Sequence, residues 1–321
     1  MHGGGPFFLN AVVAVQQVAH PVQQPSNPFA GFQDQQGVTV LDGGLATTLE
    51  AHGYDLDDEL WSAKILLEAP EAVRGVHTDF LLAGADCITA GTYQASIPGF
   101  MARGLTHDQA VEVLERAVAL AVEAREAFWG GTENREQRLR PLVAASVGPY
   151  GAYLADGSEY TGEYGLSGHE LNDFHEERWR ILARGEADLL GCETIPSLRE
   201  AEVLLDLLRR TPDRWAWMSF SCRDGSHLSD GSPLATAAKA CDALPRIAAI
   251  GVNCTRPEHI SELISVIRTV TEKPIIVYPN AGGKYDAKRK TWEDDVTPLD
   301  WPAMVAQWRA LGASVIGGCC R

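Results

Sequence analysis

The sequence predicts a single-domain (β/α)8 TIM barrel, and three observations predict it. Apolar, β-branched runs alternate with amphipathic stretches from Val38 onward, these runs are eight in number, and no Gly-x-Gly-x-x-Gly follows the first of them. The last point weakens an open dinucleotide-binding sheet as the rival arrangement. The strand candidates are Val38–Leu41, Ala85–Ala90, Pro141–Val147, Ala187–Cys192, Trp215–Phe220, Ile247–Val252, Pro274–Tyr278 and Ala313–Ile316. Helical periodicity with start and stop signals marks Thr106–Phe128, Ser167–Arg184, Ser197–Arg210, Pro257–Thr271 and Thr297–Leu311 between them. The last of these opens on Thr297-Pro298, read as an N-cap and a first-turn proline.

Composition narrows the partners. The chain has 321 residues, 45% hydrophobic and 22% charged, enough for one large core. A formal charge of -16 would repel phosphates, so neither a nucleic acid nor a membrane is expected as a partner. Oligomeric state is left open. Seven cysteines, an odd number spread through a long chain, point to a reducing, cytoplasmic setting. Residues 1–36 hold a glycine triplet, the apolar stretch Phe7–Val15 and a run rich in Gln, Pro and Asn. With no basic n-region and an apolar run too short to span a bilayer, they read as a disordered extension before a barrel domain over residues 37–321.

A barrel collects chemistry at the C-terminal ends of its strands. Asp42 directly follows the first strand candidate, Tyr93 closes the second, Glu193 follows the fourth, Cys254 follows the sixth, and Cys319 and Cys320 follow the eighth. Three thiolates at one mouth would hold a zinc ion and leave a position open for a substrate thiol. Vicinal cysteines also allow a redox-sensing disulfide, and an acid at a strand end also serves as a cap or a loop ion pair. Cys87, Cys192, Cys222 and Cys241 read as small core residues.

The segments Leu41-Asp42-Gly43-Gly44, Leu60-Trp61-Ser62-Ala63-Lys64, Thr92-Tyr93-Gln94-Ala95, the run Ser146–Tyr160, Cys192-Glu193-Thr194, His227-Leu228-Ser229-Asp230-Gly231, Gly251-Val252-Asn253-Cys254, Val277-Tyr278-Pro279-Asn280 and Gly317-Gly318-Cys319-Cys320 occur in order. Together they resemble the homocysteine S-methyltransferases, and most of all the branch that uses S-methylmethionine. The resemblance implies that Cys254, Cys319 and Cys320 hold one Zn2+ and that the homocysteine sulfur joins them. It implies that Asp42 and Glu193 bind the homocysteine amino group, with Asn253 among the substrate-binding residues. Tyr93, Tyr153, Asp156, Ser158 and Tyr160 are the expected donor pocket, where aromatic faces and a carboxylate attract a sulfonium.

The implied substrates are small molecules: L-homocysteine, with a selenol acceptor also open, and a sulfonium methyl donor, either S-methylmethionine or S-adenosylmethionine. Methionine is the implied product, and cobalamin is not expected. Chains of this kind usually continue past the double cysteine into an eighth helix, whereas here Arg321 follows it. The expectation is therefore a barrel lacking its last helix, with apolar surface bared on strands eight and one. The alternative function is a truncated, catalytically inactive barrel that retains metal or amino-acid binding.

Overall fold

The computed structural model describes residues 26–56, 62–281, 285–286, 291–292 and 299–320. Eight parallel strands form one sheet: β1 (Thr39–Val40), β2 (Cys87–Ala90), β3 (Leu142–Val147), β4 (Leu189–Ile195), β5 (Ala216–Phe220), β6 (Ile247–Asn253), β7 (Ile275–Tyr278) and β8 (Ala313–Ile316). Strands β2 to β8 pair in sequence order. β8 then pairs with β1 through Thr39↔Val315 and Val40↔Ile316, and a Leu41↔Cys87 bridge joins β1 to β2, so the sheet closes on itself. Every sequence-predicted strand is present, most within two residues of its expected ends.

Parallel neighbours need long crossovers, and these supply the outer layer. The helices are α1 (Ala30–Gln36), α2 (Leu45–Ala51), α3 (Ser62–Glu68), α4 (Pro70–Ala83), α5 (Ile97–Ala102), α6 (His107–Gly130), α7 (Tyr150–Leu154), α8 (Gly168–Arg184), α9 (Leu198–Arg209), α10 (Leu234–Asp242), α11 (Ile260–Arg268) and α12 (Trp301–Ala310). Thr106 and Ser167 head capping boxes with Gln109 and Glu170, and Ser197 accepts from the Glu200 amide, which is why three predicted helix starts fall within one residue. The start expected at Thr297-Pro298 lies outside the described residues. α12 begins at Trp301, where the Asp300 side chain accepts from the Ala303 amide at 3.1 Å. The stretch expected as one helix over Pro257–Thr271 is a 3-10 turn, Pro257–His259, followed by α11. A short antiparallel pair, Tyr285–Asp286 with Thr291–Trp292, precedes α12.

Helices on the outside and side chains on the inside bury both faces of β2 to β7, so these strands read as unbroken apolar runs rather than alternating ones. Cys87, Ala144, Leu189, Trp217, Ile276 and Val315 fill the interior. Gly191 makes room for the largest of them: a Cβ there would lie 2.5 Å from Cζ2 of Trp217.

The extension expected to lack structure through residue 36 contains α1. Phe29, at its start, is 0% exposed, and its ring centroid lies 6.2 Å from that of Trp217. Asn27 Nδ2 donates to the Ala248 carbonyl at 2.8 Å, and Gln33 Nε2 donates to Ser314 Oγ at 3.1 Å. All three partners sit near the N-terminal ends of strands, so this segment closes the floor of the barrel. One buried aromatic ring and two anchored amides outweigh a polar local composition. Residues 1–25 lie outside the described residues.

The apolar exposure expected on strands one and eight is found on strand one and not on strand eight. Val40 is 40% exposed, but its pairing partner Ile316 is 8% exposed. No described helix is long and apolar enough to cross a membrane.

Candidate functional site at the barrel mouth

Two irregular strand ends shape the mouth. The β4–β5 register slips between Cys192 and Ile195, so Glu193 and Thr194, expected just beyond the strand, form a bulge within it. Thr194 sits at φ 60° and Cys254 at φ 45°, a left-handed conformation that is strained for side chains of their kind, above all β-branched Thr. Asn253, buried between them, holds the arrangement. Its Oδ1 accepts from the Thr194 amide at 2.7 Å and from Ser219 Oγ at 2.8 Å, while its Nδ2 donates to Thr194 Oγ1 at 2.7 Å. The bulge turns Glu193 toward the mouth, and the bend after β6 brings in Cys254.

The three predicted thiols converge. One ligand atom from each of Cys254, Cys319 and Cys320 falls within 4.8 Å of the others. Cys254 and Cys319 are joined as a disulfide, and Cys320 Sγ is free, 4.0 Å from Cys319 Sγ. Backbone bonds fix the last loop: Cys319 N donates to Pro279 O at 3.0 Å, Cys320 N to Asn280 Oδ1 at 3.3 Å, and Gly318 N to Asp42 O at 3.3 Å. Gly44 is required beside it, because a Cβ there would lie 2.4 Å from the Cys319 carbonyl oxygen. Burial pushes the Cys320 thiol up to about 12, and the nearby charges of Glu159, Glu50 and Glu193 push the same way. In their reduced form, three sulfurs this close make a donor set that suits zinc.

Asp42 and Glu193 stand on the same cavity. Asp42 Oδ2 accepts from the Thr89 amide at 2.6 Å and its Oδ1 from Thr89 Oγ1 at 3.1 Å. Glu193 Oε2 accepts from the Tyr278 hydroxyl at 3.0 Å, and its Oε1 from Ser146 Oγ. Burial raises Asp42 to about 8 against the pull of the Thr89 amide, and the charge of Glu193 adds to the rise. Burial likewise raises Glu193. Such a pair is electrostatically uncomfortable when empty and suited to an ammonium when filled.

On the donor side the structure divides the expected residues. Tyr93 and Tyr160 line the cavity. Tyr153 does not line it: the residue lies on α7, and its ring packs 5.6 Å from that of Tyr150 and 5.4 Å from that of Phe174. Asp156 is exposed and folds back on its own turn, accepting from the Ser158 amide at 2.9 Å and from Ser158 Oγ, so Asp156 and Ser158 are turn-forming residues outside the lining. The loop after β3 instead delivers Glu159, which sequence reasoning passed over within its longest motif. A carboxylate flanked by Gly157-Ser158 and Tyr160 was the available signal. Among the described residues the lining contains Asp42, Glu159 and Glu193 and no Lys, Arg or His.

A (β/α)8 barrel whose mouth joins a three-cysteine cluster to an acidic cavity has, on those features, the layout of an enzyme active site. Comparison with known proteins gives the family. The sequence pattern described as homocysteine S-methyltransferase matches residues 39–321. The Bacillus subtilis homocysteine S-methyltransferase YbgG is 49% identical over 295 residues, covering 92% of this chain and 94% of the relative. The Escherichia coli homocysteine S-methyltransferase is 45% identical, covering 92% and 95%. A crystal structure of the Escherichia coli homocysteine methyltransferase MmuM in its metallated form superposes with a TM-score of 0.82 at 43% identity, covering 92% of this chain and 96% of that one. The chain belongs to the homocysteine S-methyltransferase family.

Proposed function

We propose that this enzyme transfers a methyl group from a sulfonium donor to the sulfur of L-homocysteine, forming methionine, with Zn2+ held by Cys254, Cys319 and Cys320. The observation that carries the reading is the convergence of these three sulfurs within 4.8 Å beside the Asp42–Glu193 pair. That a family relative has a metallated form supports a metal here. Zinc bound by three thiolates would supply a Lewis-acidic position at which a substrate thiol is held deprotonated near neutral pH. Only the reduced cysteines supply that donor set, in keeping with a cytoplasmic location.

Asp42 and Glu193 orient the acceptor through charge-assisted hydrogen bonds to its ammonium. The acceptor sulfur attacks the methyl carbon as the bond from carbon to the sulfonium sulfur breaks. The bonding pair stays on the departing sulfur, which leaves as a neutral thioether. Thiolate and sulfonium charges cancel, so no general acid is needed, and the protein contributes mainly alignment. Tyr93 and Tyr160 present ring surface to the cationic donor, and S-methylmethionine is the proposed donor ahead of S-adenosylmethionine.

The test is methionine formation by the purified, reduced, zinc-supplied chain with homocysteine and either donor, beside Cys319→Ala. Turnover that disappears in the variant, together with zinc near one per chain in the wild type, is the expected result. Soluble, zinc-loaded protein without turnover would return the reading to an inactive barrel that binds metal or amino acid.

A further inference from the structure

The mouth holds one carboxylate more than the acceptor ammonium needs. Glu159 reaches the cavity from the loop after β3, whereas Asp42 and Glu193 come from the ends of β1 and β4. Its backbone is pinned: Ser221 Oγ donates to the Glu159 carbonyl at 2.9 Å, and a Cβ at Gly151 would lie 2.3 Å from the Glu159 amide nitrogen. The side chain is not satisfied in the same way. Glu159 Oε2 is shielded from solvent and has no hydrogen-bond partner among the described residues. A buried carboxylate oxygen left in that condition costs stability unless a cation or donor arrives.

Among the described residues the lining supplies no such group, since it contains no Lys, Arg or His. Glu159 shares the lining of one cavity with Tyr93 and Tyr160 and with Cys254, Cys319 and Cys320. On the methyl-transfer reading, the donor and the acceptor sulfur meet in this cavity.

We propose that Glu159 is the specificity-determining counter-charge for the methyl donor, facing its sulfonium centre and selecting the cation over a neutral molecule of the same shape. This rests on the methyl-transfer reading above and adds to it a reason for directionality. Transfer converts the donor sulfur from a cation to a thioether, which abolishes its attraction to Glu159 and favours exchange of product for fresh donor. The carboxylate helps in donor binding and not in the chemical step, because the positive charge it favours is lost as the reaction proceeds.

The experiment uses two probes of matched shape, S-methylmethionine and homoleucine, in which an uncharged CH replaces the sulfonium sulfur. Both are titrated calorimetrically into the full, zinc-loaded chain without acceptor, in wild type, Glu159→Gln and Glu159→Asp. Wild type should prefer the sulfonium by roughly 10- to 100-fold, the range expected for a contact with a charged group. The preference should collapse toward parity in Glu159→Gln, persist in Glu159→Asp, and leave homocysteine affinity unchanged in both. An undiminished preference in Glu159→Gln overturns the proposal. So does a loss confined to homocysteine affinity, which would assign Glu159 to the acceptor, and so does a Glu159→Asp protein that has lost the preference. Failure of the methyl-transfer reading looks different: wild type itself then forms no methionine from any sulfonium donor.

Discussion

Asn253 and Thr194 are clamped together across β6 and β4 by two reciprocal hydrogen bonds, each 2.7 Å long, one to the Thr194 amide and one to its hydroxyl. The clamp joins the two strand ends that depart from regular geometry, and the residues beside it, Glu193 and Cys254, line the cavity together with Thr194 and Asn253 themselves. Both polar atoms of Asn253 are therefore engaged inside the protein. Its place among the substrate-binding residues is proposed to be indirect, through the position of these two neighbours.

Removing the clamp should cost both stability and the site. Asn253→Ala leaves the buried Thr194 amide without its acceptor and releases a strained backbone, for a loss of about 3 kcal/mol. Denaturant unfolding should show that loss, and zinc content should fall with it. An unchanged midpoint with full zinc would remove Asn253 from this role.

Asp42 should give the empty protein a pH-dependent stability. Its carboxyl is raised from 3.8 to about 8, chiefly by burial, so the folded state favours the protonated form. A folded-state value above the unfolded one means that the contribution is complete below about pH 4 and is lost as pH rises through about 8. Thermal unfolding of unliganded wild type should accordingly weaken over that window, by an amount on the order of 2–5 kcal/mol from this group. Asp42→Asn should flatten the profile. Parallel profiles for the two proteins would show that Asp42 is already ionised in the empty site.

Gly44→Ala tests how tightly the last loop is seated. The added Cβ would fall 2.4 Å from the Cys319 carbonyl oxygen, a contact neither backbone can keep. Displacement of Cys319 should lower zinc affinity by roughly 10-fold or more, since metal sites depend on donor placement within tenths of an ångström. Competition with a chromogenic chelator reads this directly, and circular dichroism should remain that of the wild type. Undiminished affinity would mean that the loop shifts without consequence.

Phe29→Ala should destabilise the barrel from below. The ring is fully buried against Trp217, and deleting such a group costs about 3–5 kcal/mol. The cost should appear in the unfolding midpoint, with the KM for either substrate unchanged because the ring lies at the opposite end of the barrel from the cavity. A midpoint within error of wild type would make α1 a surface appendage.

Much of this protein was legible in its sequence because the relevant signals are local. The strands from Ala85 to Ile316 announce themselves by apolar runs, since burial on both faces leaves no alternation to obscure them. Thr106, Ser167 and Ser197 announce three helix starts because an N-cap acts within one turn. A residue just after a barrel strand faces the mouth by topology, so Asp42, Tyr93, Cys254, Cys319 and Cys320 could be named without coordinates.

Tertiary structure decided the rest, wherever placement depended on contacts distant in sequence. Phe29 becomes ordered only because Trp217, on a strand far along the chain, offers a surface to cover. Glu193 lies within β4 rather than beyond it because Asn253 clamps the bulge from another strand. Tyr153 and Asp156 are drawn out of the cavity by Phe174 and by the turn at Ser158, and Glu159 enters in their stead. Local composition sets which elements form and which end of the barrel carries the chemistry. The packing of loops over a closed barrel, where each position is shared among partners far apart in the chain, sets which side chains meet the substrate.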